Sequence, residues 1–152
     1  MQQLNLAVGA FFCIALLLGG CASGKRYTAE LPHNLQVNSK TESVEATLDI
    51  YSVNEQCETA YQGTVALDRT SLELGIAMGL PSYLVVGFSS SSFWASSSGY
   101  ISYNFTLLPR KAYRYAIDVS YIDDIYHVAV HEINRNSGEK REMEDKELQN
   151  CR

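Results

Sequence analysis

The chain is poor in basic residues, poor in cysteine, and has no apolar run long enough to cross a bilayer. Twelve Lys and Arg stand against seventeen Asp and Glu, a formal net charge of −5 over 152 residues. That balance argues against a nucleic-acid surface, because binding to phosphates is driven by cations that displace counterions. It equally disfavours a polybasic patch on a lipid surface. The longest apolar run, Leu6 to Leu18 (LAVGAFFCIALLL), falls short of the roughly 20 residues that a spanning helix needs. Motifs of catalysis are also missing. No phosphate loop, dinucleotide fingerprint or calcium loop occurs. Gly87-Phe88-Ser89-Ser90-Ser91 lacks the closing glycine of a nucleophile elbow, and Ser137-Gly138-Glu139-Lys140 matches S-x-x-K without its S-D-N or K-T-G companions. These absences lead to the expectation of a protein that is not an enzyme and holds no cofactor.

What is present is concentrated at the N-terminus. The Leu6–Leu18 run has the length of a signal-peptide core. It is followed at once by Leu18-Gly19-Gly20-Cys21, a leucine and two small residues before a cysteine. This tetrad resembles the lipobox of bacterial lipoproteins. The resemblance implies a diacylglyceryl thioether on the Cys21 thiol, cleavage just before it, and acylation of the new amine. Residues 1–20 are then a lipoprotein signal peptide, and the chain meets the membrane through a lipid anchor. Two or three acyl chains hold a protein stably where one binds only marginally. Ala22, in a position where Asp would retain the protein in the inner membrane, implies by similarity to enterobacterial sorting an outer-membrane address facing the periplasm.

Residues 21–43 (CASGKRYTAELPHNLQVNSKTES) show neither a helical nor an alternating apolar period, and read as the lipidated cysteine followed by a flexible tether, with an edge strand over part of the stretch as the alternative. From Val44 the period becomes two. Val44, Ala46, Leu48 and Ile50 alternate with Glu45, Thr47, Asp49 and Tyr51, the pattern of a strand with one buried face. Further strand-like segments run over Tyr61–Leu67, Ser71–Ile76, Tyr83–Ser89, Ile101–Leu107, Tyr113–Tyr121 and Ile125–Ile133, with a hairpin turn at Asp123-Asp124. Tyr83–Ser89 is apolar on both faces, which suits a central strand. Ten tyrosines, all beyond Cys21, suit half-buried strands better than a helical bundle. Seven short strands without a long helix between them predict a domain over 44–152 that is a small antiparallel β-sandwich, with a small β-barrel as the alternative. The charged tail after Gly138, with Glu142 and Lys146 at i, i+4 spacing, predicts a short C-terminal helix, with an eighth strand as the alternative.

Four cysteines remain to be placed. Cys13 leaves with the signal core and Cys21 is consumed by lipid, so Cys57 and Cys151 are expected to pair in an oxidising compartment. Such a bond would close a loop of roughly 95 residues, which the chain-entropy treatment values at about 4–5 kcal/mol. His127 and His131 stand four apart, but on a strand that spacing separates them by roughly 13 Å, too far for one ion, and no metal is expected. Phe93-Trp94, set among serines in Ser89–Ser98, has the composition of an adaptable binding loop. The function expected is a non-enzymatic envelope lipoprotein that binds a protein or cell-wall partner. The alternative is a membrane-anchored inhibitor of a lysozyme or protease; a hydrolase comes third.

Overall fold

The computed structural model describes residues 24–91, 98–144 and 147. Nine strands are formed among them: β1 Leu35–Thr41, β2 Glu45–Val53, β3 Thr59–Ala66, β4 Ser71–Leu74, β5 Ser82–Ser91, β6 Ser98–Leu107, β7 Tyr113–Ile122, β8 Ile125–Asn134 and β9 Lys140–Glu142. They build two sheets, one of five strands in the order β4-β1-β7-β8-β9 and one of four in the order β3-β2-β5-β6. Neither sheet closes on itself or onto the other. The fold is therefore the expected β-sandwich and not the closed barrel.

Alternation drives the packing. On β2, Ala46, Leu48 and Ile50 point inward; on β5, Leu84, Val86 and Phe88; on β7, Tyr115, Ile117 and Val119. Leu48, Leu84, Val86, Leu107 and Ile117 lose all exposure, each contributing about 1.5–3 kcal/mol of apolar burial. β5 lies between β2 and β6, the interior place that its two apolar faces suggest. The hairpin at Asp123-Asp124 is a two-residue turn with both φ positive, 51° and 63°, closing the Ile122–Ile125 pair. Turns of that hand match the twist of the strands they join, and Asp tolerates the conformation.

The structure corrects the sequence reading at both ends of the domain. Residues 35–41 are not tether but strand β1, paired antiparallel to β4 and parallel to β7 in the interior of the five-stranded sheet. Leu35 and Val37 are buried at 2% and 1% exposure. Only two large apolar residues mark this strand, and its third inward position is Ser39, too short a pattern for periodicity to register. Its place depends on β7, almost eighty residues away in sequence. That parallel pair also qualifies the antiparallel expectation; every other strand pair is antiparallel. At the other end, Lys140–Glu142 form β9 against β8 instead of opening a helix. All three residues are exposed, so the backbone pairing with Ile133, Glu132 and His131 overrides their helix preference. Glu142 is consequently not the first member of a helical i, i+4 pair.

The chain before β1 is also docked. Thr64 N–H donates to Lys25 O at 2.8 Å and Tyr27 N–H donates to Thr64 O at 3.0 Å, a parallel bridge centred on Arg26 that covers the outer edge of β3. Tyr27 OH is pinned to Gly75 O at 2.6 Å. Position 63 must be glycine for this: its φ is 151° and a Cβ there would stand 2.5 Å from Tyr27 N. The edge is thus closed by backbone against backbone.

Candidate functional site

The four-stranded sheet turns its second face to solvent, and tyrosines occupy it. The inward phase of β2 leaves Thr47, Asp49 and Tyr51 outside; the register then sets Tyr83 of β5 opposite Tyr51 on one side and Tyr61 of β3 opposite it on the other. The Tyr51 ring lies 5.3 Å from that of Tyr61 and 5.7 Å from that of Tyr83, tilted and edge-on. Such arrangements satisfy the ring quadrupoles. Tyr100, on β6, reaches across to Gly87: a Cβ at 87 would stand 2.8 Å from the Tyr100 hydroxyl and 3.2 Å from Thr47 Oγ1. The missing side chain at 87 is what lets the fourth ring rest near the sheet. Tyr100 is nonetheless 63% exposed and Tyr61 39%.

Polar groups are interleaved with the rings. Asn104 Nδ2 donates to Tyr83 OH at 2.8 Å. Thr64 Oγ1 shares a hydrogen bond with Tyr61 OH at 2.5 Å and donates to Asp49 Oδ1. The Tyr51 hydroxyl is held above its ordinary pKa by burial first, then by the charge of Asp49 and the neighbouring Tyr61, Tyr100 and Tyr83. No Lys, Arg or His occurs in any strand of this sheet, and Glu45 and Asp49 are its two charged residues. The face offers aromatic surface, neutral hydroxyls and the two carboxylates of Glu45 and Asp49.

The outer face of the five-stranded sheet is of a different kind. Asp118 on β7 accepts from Asn38 Nδ2 at 2.7 Å, pairs with Lys140 Nζ at 3.1 Å and lies 3.3 Å from His131 Nδ1. Burial alone would raise its pKa, but the bonds from Asn38 and Lys140 and the nearby positive charges outweigh it, and the carboxyl sits below its ordinary value. His127 and His131 share this face, opposite Ser120 and Ala116. They lie on one strand, so the extended spacing anticipated for them is the one found. Among the described residues no group of three or more His, Cys, Asp or Glu is gathered as for a metal ion. In this cluster Asp118 faces both Lys140 and His131, while the half-buried His131 Nδ1 makes no hydrogen bond of its own.

Two further places hold polar side chains. Glu132, 6% exposed, sits on the inward phase of β8 and is met by Arg110 Nη2 on one carboxylate oxygen and by Arg141 Nη2 at 2.6 Å on the other. Arg141 continues to Glu147 at 2.8 Å, and Arg110 stacks 4.4 Å from the Tyr113 ring centre. Both guanidinium groups are held more firmly protonated, Arg110 by Tyr115 and then Glu132, Arg141 by Glu147 and then Glu132. This is a clasp between β9 and the turn before β7, with its donors already engaged. At one end of the sandwich a cleft of about 630 Å³ is rimmed by Lys40, Glu42, Asp68 and Arg69. Its rim mixes both signs of charge and so selects neither anion nor cation. The buried Ser39 Oγ beside it has no hydrogen-bond partner and is sealed from solvent.

Of the residues singled out in the sequence, Cys21, Phe93, Trp94 and Cys151 lie outside the described residues. Cys57 lies in the β2–β3 connection at φ 64°, donating its N–H to Asn54 O at 3.0 Å, and is disulfide-bonded. β5 and β6, the strands that flank Phe93-Trp94, do pair directly and antiparallel. The tyrosine face was missed. Its one available signal was Tyr51, which falls in the polar phase of β2 where an aromatic is out of place.

The chain matches no protein-family model and no curated protein. Among solved structures it is similar to transthyretin from Sparus aurata, with 12% identity and a TM-score of 0.44 over 66% of this chain and 98% of that one. Sea bream transthyretin in complex with thyroxine gives 12% identity and 0.43 over 70% and 99%. At that identity the likeness concerns strand arrangement only.

Proposed function

We propose that this chain is a lipid-anchored, non-catalytic binding module of the bacterial envelope, and that it meets its partner through the outer face of the four-stranded sheet. The observation that carries this reading is the cluster Tyr51, Tyr61, Tyr83 and Tyr100 on a sheet whose strands carry no cation. Tyrosine supplies large contact area at a cost of two rotatable bonds and keeps a hydroxyl for hydrogen bonding, which is why contact surfaces are enriched in it. The lipobox at Cys21 supports the anchor. With Lys25 docked on β3, only four residue steps separate it from Cys21, a leash of at most about 15 Å. The domain is then held close to the membrane with its β3 side nearest the anchor, instead of swinging on a long tether. Cys151 is the proposed partner of Cys57.

Three measurements on the full chain in cells test the reading. Cys21→Ser should abolish palmitate labelling and membrane fractionation; retention of both would remove the anchor. Crosslinking should recover an envelope protein, or isolated cell-wall material should retain the chain, and Tyr83→Ala combined with Tyr100→Ala should lower that recovery at least tenfold. Equal recovery would exclude the tyrosine face. Non-reducing peptide mapping should join Cys57 to Cys151 within one chain.

A further inference from the structure

The two sheets end in four edges, and three of them are defended. β3 is capped by the Lys25–Tyr27 backbone. β4 is four residues long and carries Glu73. β9 is three residues long and wholly charged, Lys-Arg-Glu. Short edge strands, charge and covering segments are the devices by which sheets avoid pairing with another chain. Among the described residues, β6 has none of these. It runs for ten residues, Ser98–Leu107, without Lys, Arg, Asp, Glu or Pro. Its ladder is to β5 alone among the described residues. It also exposes large side chains on both of its faces, Tyr100 at 63% and Ile101 at 46%.

From this asymmetry we infer that β6 is a pairing edge, and that its occupant is β6 of a second copy of this chain, joined antiparallel about a two-fold axis. The absence of charge favours self-pairing over a foreign strand. A two-fold axis sets like residues near like, which is repulsive for a charged strand and free of that cost for this one. An axis perpendicular to the sheet keeps each face on its own side. Tyr100, Ser102 and Asn104 then meet their counterparts on the tyrosine face, while Ile101 and Tyr103 meet on the other. The four-stranded sheets join into one of eight strands, and the tyrosine faces become continuous. β6 lies three strand spacings from the β3 edge, about 14 Å away.

The test uses the full chain in its own membrane and reads covalent capture. Ser102→Cys should give a disulfide-linked dimer on mild oxidation, whereas Ser71→Cys, on the outer face of β4, and the parent chain should not. Ser102→Lys sets two like charges across the axis. It should weaken dimer formation by about tenfold in sedimentation of the detergent-solubilised chain, with the melting temperature unchanged. Three outcomes would overturn the inference: no dimer from Ser102→Cys, dimer formed equally from Ser71→Cys, or a mixed disulfide between Ser102→Cys and a different protein. The last would show strand addition by a foreign partner. None of these readouts depends on the tyrosine face binding anything.

Discussion

The two outer faces of this sandwich are built from the same strand geometry and opposite chemistry. On the five-stranded side, Asp118 gathers Asn38, Lys140 and His131 around one carboxylate, so its charge is already answered by the protein. On the four-stranded side, rings lie against rings, the Tyr61 and Tyr83 hydroxyls bond to Thr64 and Asn104, and the strands carry two carboxylates and no cation. A face whose charges are satisfied internally and hydrated gains little by meeting a partner. Half-buried aromatics left in water are the reverse case, since covering them releases apolar hydration. The same contrast divides the edges, where the charged sheet ends in two short strands and the aromatic one ends in β6.

Several experiments can break or sharpen that comparison. The largest effect is expected at the clasp that supports the charged sheet. Removing both guanidinium groups, Arg110→Ala with Arg141→Ala, leaves the Glu132 carboxylate buried without a partner, and the unfolding free energy should fall by about 3 kcal/mol or more in urea. A loss below about 1 kcal/mol would mean that Glu132 finds water or another donor.

On the aromatic face the losses should be smaller. Tyr51→Ala removes both ring contacts at once and should cost about 1–2 kcal/mol. A double-mutant cycle between Tyr51 and Tyr83 should return a coupling of about 0.5–1.5 kcal/mol. Zero coupling would make the rings independent surface residues.

Asp118 separates the faces by pH. Its folded pKa is depressed, so its contribution is present above the ordinary carboxylate value, 3.8, and is lost as pH falls through the folded value. Asp118→Asn should therefore flatten the stability curve below about pH 4. For a partly exposed group the difference at neutral pH should not exceed about 1 kcal/mol. An unchanged acid limb would remove the network from the stability account.

The smallest effect is expected at Gly87. The atom that an added Cβ meets first is the far end of the Tyr100 side chain, which can lift away. Gly87→Ala should therefore shift stability by less than about 1 kcal/mol while raising the reactivity of Tyr100 toward nitration. A large loss would show that Tyr100 is fastened to the sheet.

Most strands were legible because each carries its own alternation. β2 announces itself by Ala46, Leu48 and Ile50, and β7 by Tyr115, Ile117 and Val119; the hairpin follows from two aspartates that tolerate positive φ. β1 escaped because two apolar residues make no period. β9 escaped because Lys-Arg-Glu favours a helix until an open strand is beside it. The tyrosine face was half legible: Tyr51 stood in the polar phase of its strand, but nothing local says that Tyr61, Tyr83 and Tyr100 would surround it.

The sequence by itself determined the all-β class, the turn between β7 and β8, and the extended spacing of His127 and His131, and it favoured a sandwich without excluding a barrel. These rest on interactions within a few residues of one another, where side-chain period and backbone preference suffice. Only the tertiary structure decided that the two sheets form a sandwich and not a barrel, that β1 is an interior strand, that Lys25–Tyr27 bridge to the β3 edge, that four tyrosines share one face, and that β6 pairs on one side alone among the described residues. Those depend on register between segments tens of residues apart, and register is set by which buried faces fit together.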